Sequence, residues 1–270
     1  MDHNETIRRE FSKQAASFGK IGLTLSSQEC LEWMVTMLPL RSDLRVLDVA
    51  AGTGHLGRAI APLVREVIAI DITSEMLIKA REEAARADLS NIVFEEGDAA
   101  SLPYEDASFD MVVSRLAVHH FEQPKVQLKE MARVCKSGHT VGIIDLLSPD
   151  DQSVNATYNR LEQLRDPSHT HALTKNQLVK TMGVSGIACQ RIDARDIHVD
   201  FEQWITMTGA NPQNKIAIRD ELQEELRGGT RTGMRPYIKD GALKFIQTWC
   251  VAVGATASNK TDAAGTAKDK

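Results

Sequence analysis

A strand pattern that ends in an aspartate and a glycine-rich turn restricts this 270-residue chain to a small set of folds. Residues 44–49 read Leu-Arg-Val-Leu-Asp-Val, and Gly52, Gly54 and Gly57 follow. A short apolar run bounded by glycines predicts a buried strand. Glycines at that point allow the backbone to approach a ligand closely at the N-terminus of the next helix. Their G-x-G-x-x-G spacing also matches that of dinucleotide-binding proteins, although a tight turn without a ligand would look the same.

Strand and helix patterns alternate beyond this turn. The predicted strands cover residues 44–49, 67–70, 92–94, 109–114 and 140–145. The predicted helices cover residues 56–64, about 75–87, and 128–135 with Gly138 closing the last. Pro62 lies inside the first helix pattern and is expected to kink it or end it early. This alternation predicts an α/β fold with a mostly parallel sheet, helices on both faces, and a ligand at the carboxyl ends of the strands.

Helical patterns also flank this core and could cover a ligand. They lie at residues 5–38, 150–166, 174–182 and 212–227. Residues 254–270 contain no aromatic residue and no Leu, Ile, Val or Met, so we expect a disordered tail. We therefore expect one domain over 1–253. Its cofactor-binding core covers 40–145, and its substrate or lid elements cover 1–38 and 146–240.

Composition and charge argue against several classes of function. Thirty-two Lys and Arg residues against 37 Asp and Glu residues give a net charge of −5, which argues against nucleic acid as a partner. No apolar run approaches the roughly 18 residues of a membrane span, and the polar, acidic start is not a signal-peptide pattern. The four cysteines are isolated, which favours free thiols in a reducing cytoplasm and gives no metal-binding spacing. The oligomeric state stays open.

Two further motifs follow predicted strands. Asp71 ends the strand at 67–70, and a carboxylate at this distance from the glycine turn suits the two hydroxyls of a ribose. Gly97-Asp98-Ala99 follows the third strand and could read an adenine edge, with the carboxylate accepting from the amino group. Taken alone, Asp71 could instead be a solvated helix cap and Asp98 an ordinary turn residue.

The motifs occur together in an order that resembles the class I S-adenosylmethionine-dependent methyltransferases. Within that class the chain is similar to the group that contains the menaquinone/ubiquinone-biosynthesis methyltransferases and many small-molecule enzymes. The matching segments are V-L-D-V-A-A-G-T-G (46–54), I-A-I-D (68–71), S-E-M-L (74–77), G-D-A-A-S-L-P-Y (97–104), S-F-D-M-V-V-S-R (108–115), H-H-F (119–121), E-M-A-R-V-C-K-S-G (130–138) and, before them, F-S-K-Q-A-A-S-F (11–18).

The resemblance implies a Rossmann-like, seven-stranded sheet with an antiparallel last strand at 245–253, preceded by a strand at 190–199. It implies S-adenosylmethionine as the cofactor and S-adenosylhomocysteine as its product. The implied cofactor-binding residues are Asp48, Ala50, Gly52, Gly54, Asp71, Ile72, Met76, Asp98, Ala99, Ser114 and Arg115. The family often has glycine where Ala50 stands.

These residues take separate roles in the resemblance. Asp48 indirectly orients the methionine end of the cofactor, against which Gly52 and Gly54 lie. Asp71 takes the ribose hydroxyls. The remaining roles are packing of Met76 against the adenine, recognition of the adenine edge by Asp98 and Ala99, and backbone contacts of Ser114 and Arg115 near the methionine amino group.

The acceptor side has fewer signals. His119 and His120 are candidates for the general base, since both follow the fourth strand at the expected substrate face, and His120 is favoured because Phe121 and the next helix are expected to anchor it near the pocket. The other candidates for contact with the substrate are His119, Tyr158, Arg165 and His169. No residues have the spacing of a metal site, so we expect none.

The acceptor is expected to be a small molecule: a thiol, a phenol or quinol, or another metabolite. An NAD-dependent oxidoreductase is the alternative enzyme, because the glycines and Asp71 would serve it too. Asp48 argues against it, since the corresponding strand of dehydrogenases is usually apolar up to its first glycine. A protein that binds the cofactor without catalysis is the other alternative.

Overall fold

The computed structural model describes residues 2–15 and 27–257. Its helices are α1 His3–Ala15, α2 Gln28–Thr36, α3 His55–Ile60, α4 Ser74–Arg86, α5 Pro124–Val134, α6 Gln152–Arg165, α7 Lys175–Val184, α8 Phe201–Met207 and α9 Pro212–Leu226. Its strands are β1 Arg45–Val49, β2 Glu66–Asp71, β3 Ile92–Glu96, β4 Phe109–Arg115, β5 Cys135–Leu147, β6 Ile187–Asp200, β7 Tyr237–Lys239 and β8 Ala242–Thr256.

The strands form one twisted layer in the order β3-β2-β1-β4-β5-β8-β6. The first five of these strands pair in parallel, and β8 pairs antiparallel with both β5 and β6. The Rossmann-like sheet with an antiparallel last strand is therefore confirmed. The three-residue strand β7, which was not predicted, pairs with the start of β8 as an additional edge.

Helices cover both faces of the sheet because successive strand residues alternate sides. Val46 packs into one core cluster and Leu47 into the other. Helices α2, α3, α4, α8 and α9 contribute apolar side chains to the first cluster. Helices α5 and α7 contribute to the second. Within the described residues, no helix is both long enough and apolar enough to span a membrane.

The ends of two helices confirm or correct the sequence predictions. Helix α3 ends at Ile60, and Pro62 lies in a short 3-10 turn after it, so the expected early end is confirmed. Helix α5 ends at Val134, and Cys135 already begins β5 because its backbone is extended and pairs with Phe109. The predicted helix through 135, closed by Gly138, is wrong at its C-terminal end.

The predicted tail also begins too early. Strand β8 continues to Thr256, and Gly254 is paired with Val141 on one side and Cys189 on the other. An added Cβ at Gly254 would meet the carbonyl oxygen of Ala188 at 2.7 Å, so the glycine permits this close strand packing. The predictions for 16–18 of the N-terminal motif and for 258–270 of the tail lie outside the described residues.

Candidate functional site

A cavity of about 430 Å³ opens where the parallel strands end. One part of its wall is formed by the turns after β1, β2 and β3, and another part by residues after β4 and by α1, α8 and β8. The sequence-predicted residues that line it are Ala50, Gly52, Asp71, Ile72, Met76, Asp98, Ala99, Arg115, His119, His120 and Arg165. Asp48, Gly54, Ser114, Tyr158 and His169 lie behind the wall.

The glycine turn after β1 forms the floor of the cavity. Gly52 has φ +55°, and an added Cβ there would meet no atom within 4 Å. Gly54 has φ +72°, and its added Cβ would meet Phe94 at 2.8 Å. Ala50 has a φ angle of 54°. This backbone conformation is unfavourable for a residue that carries a Cβ atom, which explains why glycine suits this position. The turn thus leaves open space at Gly52 and close packing beneath it.

Asp48 supports this turn from below. Its Oδ2 accepts from the backbone N–H of Gly57 at 2.9 Å, while its Oδ1 is buried without a hydrogen-bond partner in the part of the chain that the structure describes. Burial raises the pKa of Asp48 to about 7, against the opposing effects of the Gly57 N–H and the Arg115 charge. A buried carboxyl with an oxygen to spare favours a positively charged ligand nearby.

Asp71 lies at the end of β2 and links two turns. Its Oδ2 accepts from the backbone N–H of Gly52 at 2.7 Å, and its Oδ1 accepts from that of Thr73 at 2.8 Å. Burial raises the pKa of Asp71, and these backbone donors partly oppose the shift. Each carboxylate oxygen can accept further bonds, so the side chain can still receive hydroxyl groups from the cavity.

Helix α1 covers the cavity and contacts both of its sides. The Asn4 amide donates to Oδ2 of Asp98 at 2.9 Å, and Nε2 of His3 lies 2.8 Å from the backbone oxygen of His120. The side chain of Phe11 packs edge-on against the ring of His120, with 5.0 Å between the ring centroids. These contacts were missed from the sequence, because nothing in α1 itself indicates which turn it will reach.

Two adjacent histidines follow β4 and differ in their partners. Nδ1 of His119 lies 2.5 Å from Oδ1 of Asp145, and its backbone N–H donates to Oδ2 of the same carboxylate at 3.0 Å. Burial opposes protonation of His119, but the charge and hydrogen bond of Asp145 outweigh it and raise the pKa. His120 contacts the backbone oxygen of Ser168 through Nδ1 at 3.0 Å. Burial and the neighbouring His119 lower the pKa of His120 to about 4.

The carboxylate that could support a general base, Asp145, thus contacts His119, whereas the prediction favoured His120. Asp145 was missed as a candidate, although it ends the strand predicted over 140–145 and lies near the end of β5, which is next to β4 in the sheet. That position was the available signal, since adjacent parallel strands bring their carboxyl ends together.

The other acceptor-side candidates divide between wall and interior. Arg165 lies on the wall, donates from Nε to the backbone oxygen of Trp204 at 3.1 Å, and stacks 4.8 Å from the centre of its indole ring. Tyr158 is 1% exposed, and its hydroxyl has no hydrogen-bond partner among the described residues. His169 is buried with Nε2 2.9 Å from Oδ1 of Asn159, and burial lowers its pKa. The structure thus does not bring Tyr158 or His169 to the cavity.

Within residues 2–15 and 27–257, no three His, Cys, Asp or Glu side chains are grouped as metal ligands would be.

A family model described as a methyltransferase domain matches residues 40–194. The chain belongs to this methyltransferase family. It is 33% identical over 219 residues to the uncharacterized methyltransferase YcgJ of Bacillus subtilis, a match that covers 81% of this chain and 85% of that protein. The crystal structure of YcgJ superposes with a TM-score of 0.79 at 28% identity, covering 86% of this chain and all (100%) of the other.

Two further similarities agree with this assignment. A putative methyltransferase from Bacillus halodurans has a TM-score of 0.77 at 26% identity, covering 84% of this chain and 99% of that one. The ubiquinone/menaquinone biosynthesis C-methyltransferase UbiE of Coxiella burnetii is 30% identical over 162 residues, 57% of this chain and 65% of that protein. The protein is therefore an S-adenosylmethionine-dependent methyltransferase, and no finding favours the oxidoreductase alternative.

The site of this methyltransferase fits its cofactor on structural grounds. The open space at Gly52 admits a ligand against the backbone, and the Asp71 and Asp98 carboxylates line the same cavity. The spare oxygen of Asp48 beneath the turn suits a ligand that carries positive charge.

Proposed function

We propose that this methyltransferase methylates a small-molecule acceptor held in the cavity, and that His119 takes the acceptor's proton. The observation that carries this proposal is the contact between His119 and Asp145 at the wall of the cavity that Gly52, Asp71 and Asp98 also line. A proton acceptor and a cofactor-binding set that share one cavity are the parts that methyl transfer to a protonated nucleophile requires.

The turns after β1, β2 and β3 would hold the cofactor. Asp71 would accept the ribose hydroxyls, Asp98 and Ala99 would recognise the adenine, and Met76 would pack against it. Gly52 would let the backbone lie along the methionine end. The remaining proposed contacts come from Ala50, Gly54 and Ile72 of the turns and from Asp48, Ser114 and Arg115 near the methionine end.

When bound, the cofactor supplies an electrophilic methyl group on a positively charged sulfur. The chain's task is then to align the acceptor with that methyl group, for which correct orientation can contribute about 7–11 kcal/mol. The wall residues after β4 and from α8 line the same cavity as the turns after β1, β2 and β3, so they would hold the acceptor in line.

His119 would act as the base through Nε2. Asp145 holds the ring by Nδ1 and stabilises the proton once it has been accepted. His120 has a depressed pKa and a ring fixed by Ser168 and Phe11, so its proposed role is to position its neighbour and the wall.

A small acceptor is supported by the position of α1, which lines the cavity through Asn4, Ile7 and Phe11. A long polymer would have to displace this helix. The cytoplasmic location and the absence of a nucleic-acid partner stay predictions from composition.

The experiment measures transfer of a deuterated methyl group from labelled S-adenosylmethionine to a metabolite library by mass spectrometry. We expect His119→Gln to lower turnover about 100-fold or more, with affinity for S-adenosylhomocysteine nearly unchanged by calorimetry. His198→Gln, at an exposed histidine of β6 that contacts Tyr237, is the matched control. Full turnover in His119→Gln would exclude it as the base, and a cofactor that binds without any transfer would point to a binding protein.

A further inference from the structure

The acceptor side of the cavity has an apolar wall that is fixed by packing. Its members are Phe11, Leu146, Val199, Trp204, Met207 and Trp249. Trp249 is 2% exposed, and its indole N–H donates to the side-chain oxygen of Gln247 at 3.1 Å. Trp204 packs edge-on against Phe245, with 4.8 Å between ring centroids. Large flat side chains held in this way offer a preformed surface to a planar apolar ligand.

The charged groups beside this apolar wall already have partners from the chain. The Arg165 guanidinium lies 3.5 Å from Glu162 and also contacts the backbone and ring of Trp204. The other oxygen of Glu162 accepts from the Gln247 amide at 2.7 Å. Gln247 therefore uses both ends of its amide within the protein.

Asp166 is a further carboxylate at the cavity. It accepts from the backbone N–H and the hydroxyl of Ser168, at 2.9 and 2.5 Å, and from the Gln14 amide at 3.5 Å. Arg115, at the end of β4, donates to the sulfur of Met34 and lies close enough to Asp48 to influence its pKa.

This pairing argues against a charged acceptor. A bound carboxylate would lie beside Glu162 and would have to share the Arg165 cation with it. The charge of Asp166 is already stabilised by donors from the chain, which weakens its attraction for an ammonium group. An uncharged acceptor leaves these contacts intact.

We propose that the acceptor is an uncharged, planar aromatic compound that is methylated on a ring hydroxyl. This inference rests on the proposed function. The phenolic oxygen forms a bond to the methyl carbon as the carbon–sulfur bond breaks, and the electron pair of that bond stays on sulfur to give S-adenosylhomocysteine. The hydroxyl proton passes to Nε2 of His119, so the organic product is a neutral aryl methyl ether.

A histidine base that is held by a carboxylate favours a hydroxyl acceptor over a thiol acceptor. A thiol ionises near pH 8.5 and needs little help, whereas a phenolic hydroxyl with a pKa near 10 keeps its proton at neutral pH. The Asp145–His119 pair supplies the proton acceptor that the hydroxyl needs. The flat apolar wall in turn favours an aromatic ring over an aliphatic alcohol of similar size.

The test compares acceptors that share a carbon frame. The first set is phenol, thiophenol, benzoate, aniline and cyclohexanol; the second contains 2-naphthol, 2-naphthalenethiol, 2-naphthoate and 2-naphthylamine. Release of S-adenosylhomocysteine and the product mass give kcat/KM for each. We expect the hydroxyarene to exceed the carboxylate, amine and aliphatic alcohol at least tenfold. We also expect His119→Gln to lower transfer to the hydroxyarene far more than transfer to the thiol.

A kcat/KM that is higher for the thiol, carboxylate, amine or cyclohexanol than for the hydroxyarene would overturn the acceptor class. The methyltransferase function would remain intact. The acceptor class would also be overturned if the protein binds S-adenosylhomocysteine but methylates neither phenol nor 2-naphthol. Equal losses for hydroxyarene and thiol in His119→Gln would instead overturn the base assigned under the proposed function.

Two variants of one wall residue test the aromatic surface separately. Trp204→Phe keeps a ring, and we expect KM for the better hydroxyarene within threefold of its original value. Trp204→Ala removes the ring and should raise KM about tenfold or more, since 1.4 kcal/mol corresponds to a factor of ten. Affinity for S-adenosylhomocysteine should stay unchanged in both variants and reports that they are folded. An unchanged KM in a folded Trp204→Ala variant would overturn the wall as the aromatic binding surface.

Discussion

His119 and His120 are neighbours in the chain with almost equal exposure, 8% and 9%, yet their affinities for a proton diverge. The difference comes from one carboxylate, because Asp145 contacts His119 by two hydrogen bonds and does not contact His120 in this way. Once His119 attracts the proton, its charge disfavours a second proton on His120. Burial alone would have lowered the pKa of both residues.

The raised pKa of His119 predicts the pH dependence of turnover. A base works only when deprotonated, so kcat/KM should rise with pH through a midpoint above the ordinary histidine value of 6.5. Asp145→Asn keeps the size of the side chain and removes its charge, so the midpoint should move to lower pH while the plateau falls about 100-fold. The measurement is kcat/KM between pH 5 and 9 with the best acceptor from the library.

Asp43→Asn is the control for this profile, because Asp43 pairs with Arg41 at the surface. A midpoint that is the same in Asp145→Asn and the original protein would show that another group controls turnover.

At the same scale, Asp71 is expected to set cofactor affinity. Asp71→Ala should weaken binding of S-adenosylhomocysteine about 10–100-fold, since hydrogen bonds to a charged group contribute about 1.5–3 kcal/mol. The variant also leaves the Gly52 N–H without its acceptor, so part of the loss reflects a looser turn. Calorimetry checks the affinity, with Asp88→Asn at an exposed position as the control. Unchanged affinity in a folded Asp71→Ala protein would show that other residues hold the ribose.

At the scale of elements, α1 controls access to the cavity. Its residues form part of the wall, and Asn4 connects it to Asp98 on the cofactor side. We expect a ligand on this side to enter and leave more easily when α1 shifts, so contacts that hold the helix should slow both processes.

Asn4→Ala should therefore speed both entry and release of S-adenosylhomocysteine about 2–10-fold, as expected for the loss of one hydrogen bond worth about 0.5–1.5 kcal/mol. Stopped-flow tryptophan fluorescence measures both rates. Glu5→Gln, at an exposed neighbouring position, is the control. If both rates stay the same in Asn4→Ala, the Asn4 contact does not limit passage.

The same scale shows where sequence patterns lose accuracy. The helical spacing of Leu128 and Met131 continues to Cys135, so the pattern alone extends α5 by one residue too many and brings Gly138 in as its end. Pairing of Cys135 with Phe109 ends the helix earlier. A contact between residues this far apart in the chain cannot be recognised from the local sequence pattern.

Across the whole molecule, the sequence predicted the residues that line the cavity at the strand ends and missed most of those in its apolar wall. Gly52, Asp71 and Asp98 each lie at or shortly after the end of a strand of the parallel sheet, so local patterns place them at one edge. The apolar wall combines residues from α1, β5, β6, α8 and β8. Its assembly depends on how distant elements pack, and for this reason Trp249, Gln247 and Glu162 were missed.

Stability should respond to pH through Asp48. Burial raises the folded-state pKa to about 7 from an unfolded value near 3.8, so the folded protein binds the extra proton between these values. The free energy of unfolding is therefore higher at low pH and decreases as the pH rises towards 7, because the buried Asp48 carboxyl then has to lose its proton in the folded protein. Asp48→Asn carries no such charge, so its free energy of unfolding relative to the original protein should increase by about 2–3 kcal/mol from pH 5 to pH 8.

Urea unfolding of both proteins without ligand at the two pH values measures this change. Asp106→Asn, at an exposed carboxylate paired with Arg133, is the control. A constant difference between Asp48→Asn and the original protein across this range would mean that Asp48 does not change its protonation on folding.

Strand β8 lies between β5 and β6, although it follows both in the chain. During synthesis on a ribosome, β6 therefore emerges before the strand that joins it to the sheet. Until β8 leaves the exit tunnel, the edge of β5 that pairs with β8 has no partner strand. An exposed edge of this kind can pair with a strand from another nascent chain. Insertion of β8 closes that edge and brings Gln247 and Trp249 to the cavity in the same step. The apolar wall of the cavity is thus incomplete until β8, which follows β6 and β7 in the chain, has paired with the sheet.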